Sequence, residues 1–237
     1  MKINVTFLPA EVSGMDLSNT VCVVLDIFRA TTSITSAMAN GYTAIHPVVS
    51  VEEARERALQ TGSCLLAGER QSIKIDGFDL GNSPYDFSKA IVENRQIVMT
   101  TTNGTIAIRA TEGACRTLIG SFLNAHALCK KVLQYGKDVL IVCAGTDRLF
   151  SLEDALCAGF LVDILGQAGT EANLTDSAYA ALLMYSQAKD ELVTVAGNSR
   201  NGKRLYDLNR KDDVEYCFQK DILEIVPEYI DGVIRLD

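Results

Sequence analysis

Histidine is almost missing from this chain: His46 and His126 are the only two, and they stand far apart. A zinc centre built on histidines therefore lacks its parts. So does a serine nucleophile activated by histidine, because no G-x-S-x-G elbow is present either. No G-x-G-x-x-G occurs. Residues 197–203 spell the front of a P-loop, but Arg204 stands where a Ser or Thr would hold magnesium, and the match reads as chance. Basic residues are outnumbered, with 22 Lys and Arg against 30 Asp and Glu, and the net charge of −8 argues against a general nucleic-acid binder. No apolar run reaches the ~20 residues of a membrane span. Residues 1–5 do not open a signal peptide. The seven cysteines form no C-x-x-C pair and are odd in number, which reads as reduced thiols in a cytoplasmic protein.

What the chain does have is short apolar runs, at 21–25, 64–67, 97–99 and, strongest of all, 138–143. Such runs read as strands buried on both faces. Weaker strand signals lie at 2–8 (an edge), 43–49, 117–119 and 222–226. Helical spacing recurs over 30–40, 51–61, 105–110, 124–135, 152–164, 175–189 and 214–220. Ser50-Val51-Glu52-Glu53 and Ser151-Leu152-Glu153-Asp154 both spell capping boxes. The alternation predicts an α/β fold, a three-layer α/β/α arrangement around a mostly parallel or mixed central sheet, in a single domain over 1–237. The apolar 175–189 segment suits a core helix, or the face of a homodimer.

Three of the apolar runs end in polar clusters, and ligands bind outside the carboxyl ends of such strands. The first cluster is Asp26-Ile27-Phe28-Arg29-Ala30-Thr31-Thr32. Asp26 can hold a metal or a water, and Arg29 can grip a phosphate or carboxylate with two N–H groups. Thr31 and Thr32 add hydroxyls at a helix start. Equally, Asp26 can cap the helix while Arg29 pairs at the surface. The second cluster is Gly68-Glu69-Arg70, opening the longest irregular stretch, 68–87, which carries Asp79, Asn82 and Ser83 among its glycines. The third is Thr100-Thr101-Thr102-Asn103-Gly104-Thr105, where Asn-Gly predicts a sharp turn whose amides can cradle an anion, or an ordinary turn. After the 138–143 run, Glu153 and Asp154 either cap a helix or face the same cleft as Asp26 and share a divalent cation.

Two phosphoryl-transfer signatures are absent. Asp26-Ile27-Phe28 lacks the second Asp of a D-x-D nucleophile, and four residues separate Cys143 from Arg148, one too few for a tyrosine-phosphatase loop. What remains resembles the 2-phosphosulfolactate phosphatase family, with its D-x-x-R-A-T-T, G-E-R, G-F-D-x-G-N-S-P, T-T-N-G-T and S-L-E-D segments in order across residues 26–154. The resemblance implies magnesium-dependent hydrolysis of 2-phospho-3-sulfolactate to 3-sulfolactate and phosphate, a step toward coenzyme M. It implies Asp26, Arg29, Glu69 and Asp79 as the catalytic set, and Mg²⁺ on Asp26 with one or more of Glu69, Asp79 and Asp154. Thr31 and Thr32 would help Arg29 with the phosphoryl group. Arg70, Asn82, Ser83, Thr102, Asn103 and Gly104 would receive the rest of a small anionic substrate. A phosphatase of another small hydroxy acid and a non-catalytic anion-binding protein stay open beside it.

Overall fold

The computed structural model describes residues 1–88, 95–168 and 172–237. Its strands, in chain order, are β1 (Lys2–Thr6), β2 (Thr20–Leu25), β3 (Ala44–Val48), β4 (Cys64–Arg70), β5 (Ile73–Lys74), β6 (Gln96–Thr100), β7 (Arg116–Gly120), β8 (Asp138–Cys143), β9 (Asn173–Leu174), β10 (Glu228–Ile230) and β11 (Val233–Arg235). Its helices are α1 (Ala30–Ala39), α2 (Val51–Thr61), α3 (Pro84–Ser88), α4 (Gly104–Arg109), α5 (Ala125–Tyr135), α6 (Leu152–Gln167), α7 (Asp176–Ala188), α8 (Leu192–Gly197), α9 (Arg200–Asp207) and α10 (Lys211–Cys217).

One mixed sheet runs through the protein in the order β5-β4-β6-β3-β11-β10-β7-β2-β8-β1-β9. It bears out the α/β expectation. Side chains of a strand alternate between faces. Val21, Val23 and Leu25 of β2 accordingly join α5, α6 and α7 in one core. Val24 points the other way, to a core shared with α1 and α4, and Cys22 to a smaller cluster with Val12 and Leu17. Helices thus cover both faces, and continuous apolar runs rather than alternating ones are what such strands require.

Two parallel blocks make up the sheet: β4-β6-β3 and β7-β2-β8-β1. The antiparallel hairpin β10–β11 lies between them. It pairs with Ile45 near the start of β3 through Ile234, and with Thr117 and Leu118 of β7 through Tyr229 and Glu228. The hairpin therefore separates the blocks at their amino ends. At the carboxyl ends they meet: α4, which follows β6, packs against the end of β2. A Cβ on Gly104 would lie 2.5 Å from Ala30 Cβ and 2.7 Å from Asp26 Oδ2, so only glycine fits there.

Some boundaries differ from the sequence reading. β1 is not an edge strand, because β9 pairs outside it. The strand expected at 222–226 is absent, and the hairpin lies just beyond Pro227 instead. The 68–87 stretch is more ordered than its glycines suggest. β4 continues through Arg70 and returns as β5 through Gln71 and Ser72, both at positive φ (53° and 66°). A two-residue turn of that kind usually carries Asn or Gly, so Gln-Ser gave no signal. α7 is buried on one face through Ala178, Ala181, Tyr185 and Ala188, and exposes Tyr179 and Leu183 on the other.

Candidate active site

β2 ends at Leu25, and the chain turns into α1 through residues 26–29. Two threonines hold this turn. Thr31 Oγ1 donates to Asp26 O (3.1 Å) and accepts from Asp26 N (2.9 Å), and Thr32 Oγ1 donates to Ile27 O (3.1 Å). These hydroxyls are thus occupied in presenting Asp26 rather than pointed at a ligand. Asp26 Oδ1 accepts from Ala30 N at 3.3 Å. Among the described residues nothing donates to Oδ2.

Glu69, near the end of β4, faces Asp26 from the other block. Its Oε2 accepts from Ser72 N (2.7 Å), and its Oε1 from both Thr102 N (2.8 Å) and Thr102 Oγ1 (2.9 Å). Three donors fix this carboxylate, which is only 7% exposed. Asn103 Oδ1 accepts from Asp147 N (3.1 Å), which ties the turn after β6 to the loop after β8.

Arg29 is buried, and its guanidinium is pinned twice: Nη1 donates to Asp213 Oδ2 (2.6 Å) and Nη2 to Ser72 O (2.9 Å). Three of its five N–H donors remain for a ligand. Asp213, on α10, also accepts from Ser83 Oγ (2.6 Å), so Ser83 acts on this anchor rather than on the cavity. Asp26, Arg29, Glu69, Asn82, Thr102 and Asn103 line one small cavity with Phe28, Ser72, Thr146, Asn201 and Arg204. Asn82 Oδ1 is buried there with no hydrogen-bond partner.

Like Thr31, Thr32, Ser83 and Gly104, the predicted site residues Asp79, Arg70 and Asp154 do not line this cavity. Asp79 is exposed, and its Oδ2 accepts from Leu66 N (2.8 Å), which ties the 77–80 loop to β4. Arg70 donates to Glu69 O (2.7 Å) and Thr100 Oγ1 (3.0 Å), bracing β4 against β6. Asp154 is not a helix cap: its Oδ1 accepts from Ile27 N (2.8 Å) and its Oδ2 from Gly145 N (3.0 Å), joining the ends of β2 and β8. Both carboxylate oxygens of Asp154 are therefore spent on backbone. The sequence assigns no site role to Asp213, Asn201, Arg204 or Ser72: Ser72 lies in the 68–87 stretch, Asn201 and Arg204 lie in the P-loop-like 197–204 stretch, and Asp213 stands in no motif.

Burial, and next to it the charge of Glu69, pushes the Asp26 carboxyl up to about 7; Glu153 adds to this, while Ala30 N–H and Arg29 pull against it. Burial also raises Glu153 and holds Asp154 well above the ordinary carboxylate range. Glu153 Oε2 is buried without a hydrogen-bond partner. All three groups bind protons more tightly in the folded chain than in the unfolded one. Their contribution to stability is thus full below the ordinary carboxylate pKa and is lost as pH rises, for Asp26 through about 7. The metal-free protein is expected to melt several degrees lower at about pH 7.5 than at about pH 5.5 in EDTA. A midpoint that climbs over that interval would contradict this electrostatic account.

Among the described residues no three His, Cys, Asp or Glu side chains form a ready-made metal cage. Magnesium does not ask for one. It is usually held by one or two carboxylates, with waters and substrate phosphate completing the octahedron. Asp26 and Glu69 supply such a pair, with the unpartnered Oδ1 of Asn82 beside them. The donor set fits this ion.

The carboxyl ends of β2 and β4 thus bring Asp26, Arg29 and Glu69 to one cavity of an α/β fold, and α9 adds Arg204. The family model described as 2-phosphosulpholactate phosphatase matches residues 6–232. A protein of Clostridium acetobutylicum named probable 2-phosphosulfolactate phosphatase is 37% identical over 99% of this chain and 100% of its own length. One of the same name from Clostridium novyi is 38% identical over 97% of each. The chain belongs to the 2-phosphosulfolactate phosphatase family, a family of phosphoric monoester hydrolases. Among the described residues no helix is long and apolar enough to cross a membrane.

Proposed function

We propose that the protein hydrolyses 2-phospho-3-sulfolactate to 3-sulfolactate and phosphate with Mg²⁺, the reaction that leads toward coenzyme M. The observation that carries this reading is the pairing of charges in one cavity: Asp26 and Glu69 for a cation, Arg29 and Arg204 for anions. A binding protein for an anionic metabolite would need the arginines and would be hindered by the carboxylates. Held by Asp26 and Glu69, Mg²⁺ would neutralise phosphoryl oxygens. Arg29, fixed by Asp213, turns its remaining N–H donors on the equatorial oxygens of the transferring group. Asp26 Oδ2, free of protein donors, meets the phosphoryl group or the water that attacks it. Asn82 and Asn103 supply neutral donors and acceptors around it.

The test is phosphate release from 2-phospho-3-sulfolactate, 2-phospholactate and 2-phosphoglycerate, each with magnesium and with EDTA. The expected result is turnover only with magnesium, with the highest kcat/KM for the sulfonate. Preference for another ester would keep the phosphatase and discard the substrate. No release from any of them would discard both.

A further inference from the structure

We propose that Arg204 selects the substrate, taking an anionic group of a phosphomonoester other than the phosphate, a carboxylate or a sulfonate. The inference rests on the phosphatase reading above. The two guanidiniums of the cavity are held very differently. Arg29 is 3% exposed and locked by Asp213 and Ser72. Arg204 is 33% exposed, and the ion pair it makes among the described residues, to Asp147 Oδ2 at 3.0 Å, is itself 43% exposed on the acid side. A pair so open to water is weak and exchanges readily for another anion.

The helix that carries Arg204 is fixed while its side chain is not. Ser199 Oγ caps α9 by accepting from Gly202 N (3.0 Å), and Asn201 Nδ2 donates to Phe28 O (2.9 Å) beside Arg29. A Cβ on Gly202 would come within 2.2 Å of Ala196 O, so α9 sits hard against α8. Asp147 is also held, its N–H bonded to Asn103 Oδ1. It serves as a resting place for Arg204 when no ligand is bound. The cavity has about 20 Å³ of free space, room for a water-sized group. A phosphomonoester needs more, and Arg204 is the most exposed of the four charged side chains that line it. When it leaves Asp147, it opens the mouth and offers a planar fork that suits a carboxylate or a sulfonate.

The test compares 2-phospho-3-sulfolactate with phenyl phosphate, which has no second anion, in the full-length protein. In Arg204→Gln, kcat/KM for the sulfolactate ester should fall about 10- to 100-fold, mainly through KM. The loss for phenyl phosphate should be smaller by at least about tenfold. Arg204→Lys should recover part of the difference, and Asp147→Asn should lower KM for the sulfolactate ester, because the competing carboxylate is gone. Equal losses on both substrates, or no loss on either, would overturn the proposal. If the wild-type protein hydrolyses neither ester, the phosphatase reading fails by itself. Calorimetric binding of 3-sulfolactate then decides on Arg204: binding weakened at least about tenfold by Arg204→Gln supports the assignment. Unchanged or absent binding overturns it.

Discussion

Asp26→Asn should abolish phosphate release, by about a thousandfold or more in kcat, and leave the fold intact. The amide keeps the shape of the carboxylate and an oxygen to accept from Ala30 N, now 3.3 Å from Oδ1. It removes the charge that Glu69 and Glu153 oppose. The variant is therefore expected to melt at the same temperature as the parent, or higher, in EDTA at neutral pH. It should also lose the upward shift in melting temperature that magnesium is expected to give the parent. The combination matters, because a merely structural Asp26 would show the reverse: lower stability and preserved turnover. Near-normal kcat in the folded variant would end the assignment of Asp26 as the reactive carboxylate.

The second large effect is expected at Asp213, far from every sequence motif. Asp213 and Arg29 are each 3% exposed in their side chains and lie 2.6 Å apart. Removing one partner of a buried ion pair strands the other charge, at a typical cost of about 3–5 kcal/mol. Asp213→Ala should lower the melting temperature by roughly 6–20 °C in a chain of this size. It also frees Ser83 Oγ, which donates to the same carboxylate at 2.6 Å. Asp213→Asn keeps the shape of the side chain without the charge: its one oxygen can still accept from Arg29 Nη1, and its NH2 group can donate to Ser83 Oγ in place of the bond it now accepts. It should fold, yet lose about 10- to 100-fold in kcat/KM, because Arg29 is no longer held at a fixed angle to the phosphoryl group. Thermal melts of the Ala variant and steady-state kinetics of the Asn variant check the two halves. An Asp213→Ala protein as stable as the parent, or an Asp213→Asn protein with parental kcat/KM, would show that Arg29 needs no anchor.

Both effects bear on what could be read in the sequence. Asp26 and Arg29 are adjacent in a motif at the end of an apolar run, and the run length alone placed them at a strand end. Glu69 was found the same way, although β4 runs three residues further than its apolar part and carries Glu69 within it. Asp79 carries a site role only through the resemblance, in the G-F-D-x-G-N-S-P segment of a loop rich in glycine and charge. Its carboxylate instead serves Leu66 N, a local bond that no spacing rule signals. Asp154 matched a capping box, and the structure sends its side chain to Ile27 and Gly145. In each case a carboxylate has several possible partners within a short reach, and the sequence does not rank them.

By itself, the sequence determined the strands β1 to β4 and β6 to β8, most of the helices, and the polar strand ends, while the short strands β5 and β9 and the β10–β11 hairpin carry no local signal. Buried strands demand continuous apolar runs, and helix starts demand capping residues, as Ser50 and Glu53 provide. Those are local constraints, written in neighbouring residues. The tertiary structure decided which polar ends meet. The β10–β11 hairpin enters between two parallel blocks at their amino ends, and the carboxyl ends of β2 and β6 converge on Gly104 and Asp26. The same convergence brings Asp213 to Arg29 across 184 residues and Asn201 to Phe28 across 173. Contacts of that kind depend on the path of the whole chain. The charge of one buried residue is matched by another that shares no local pattern with it, so only the folded structure could pair them.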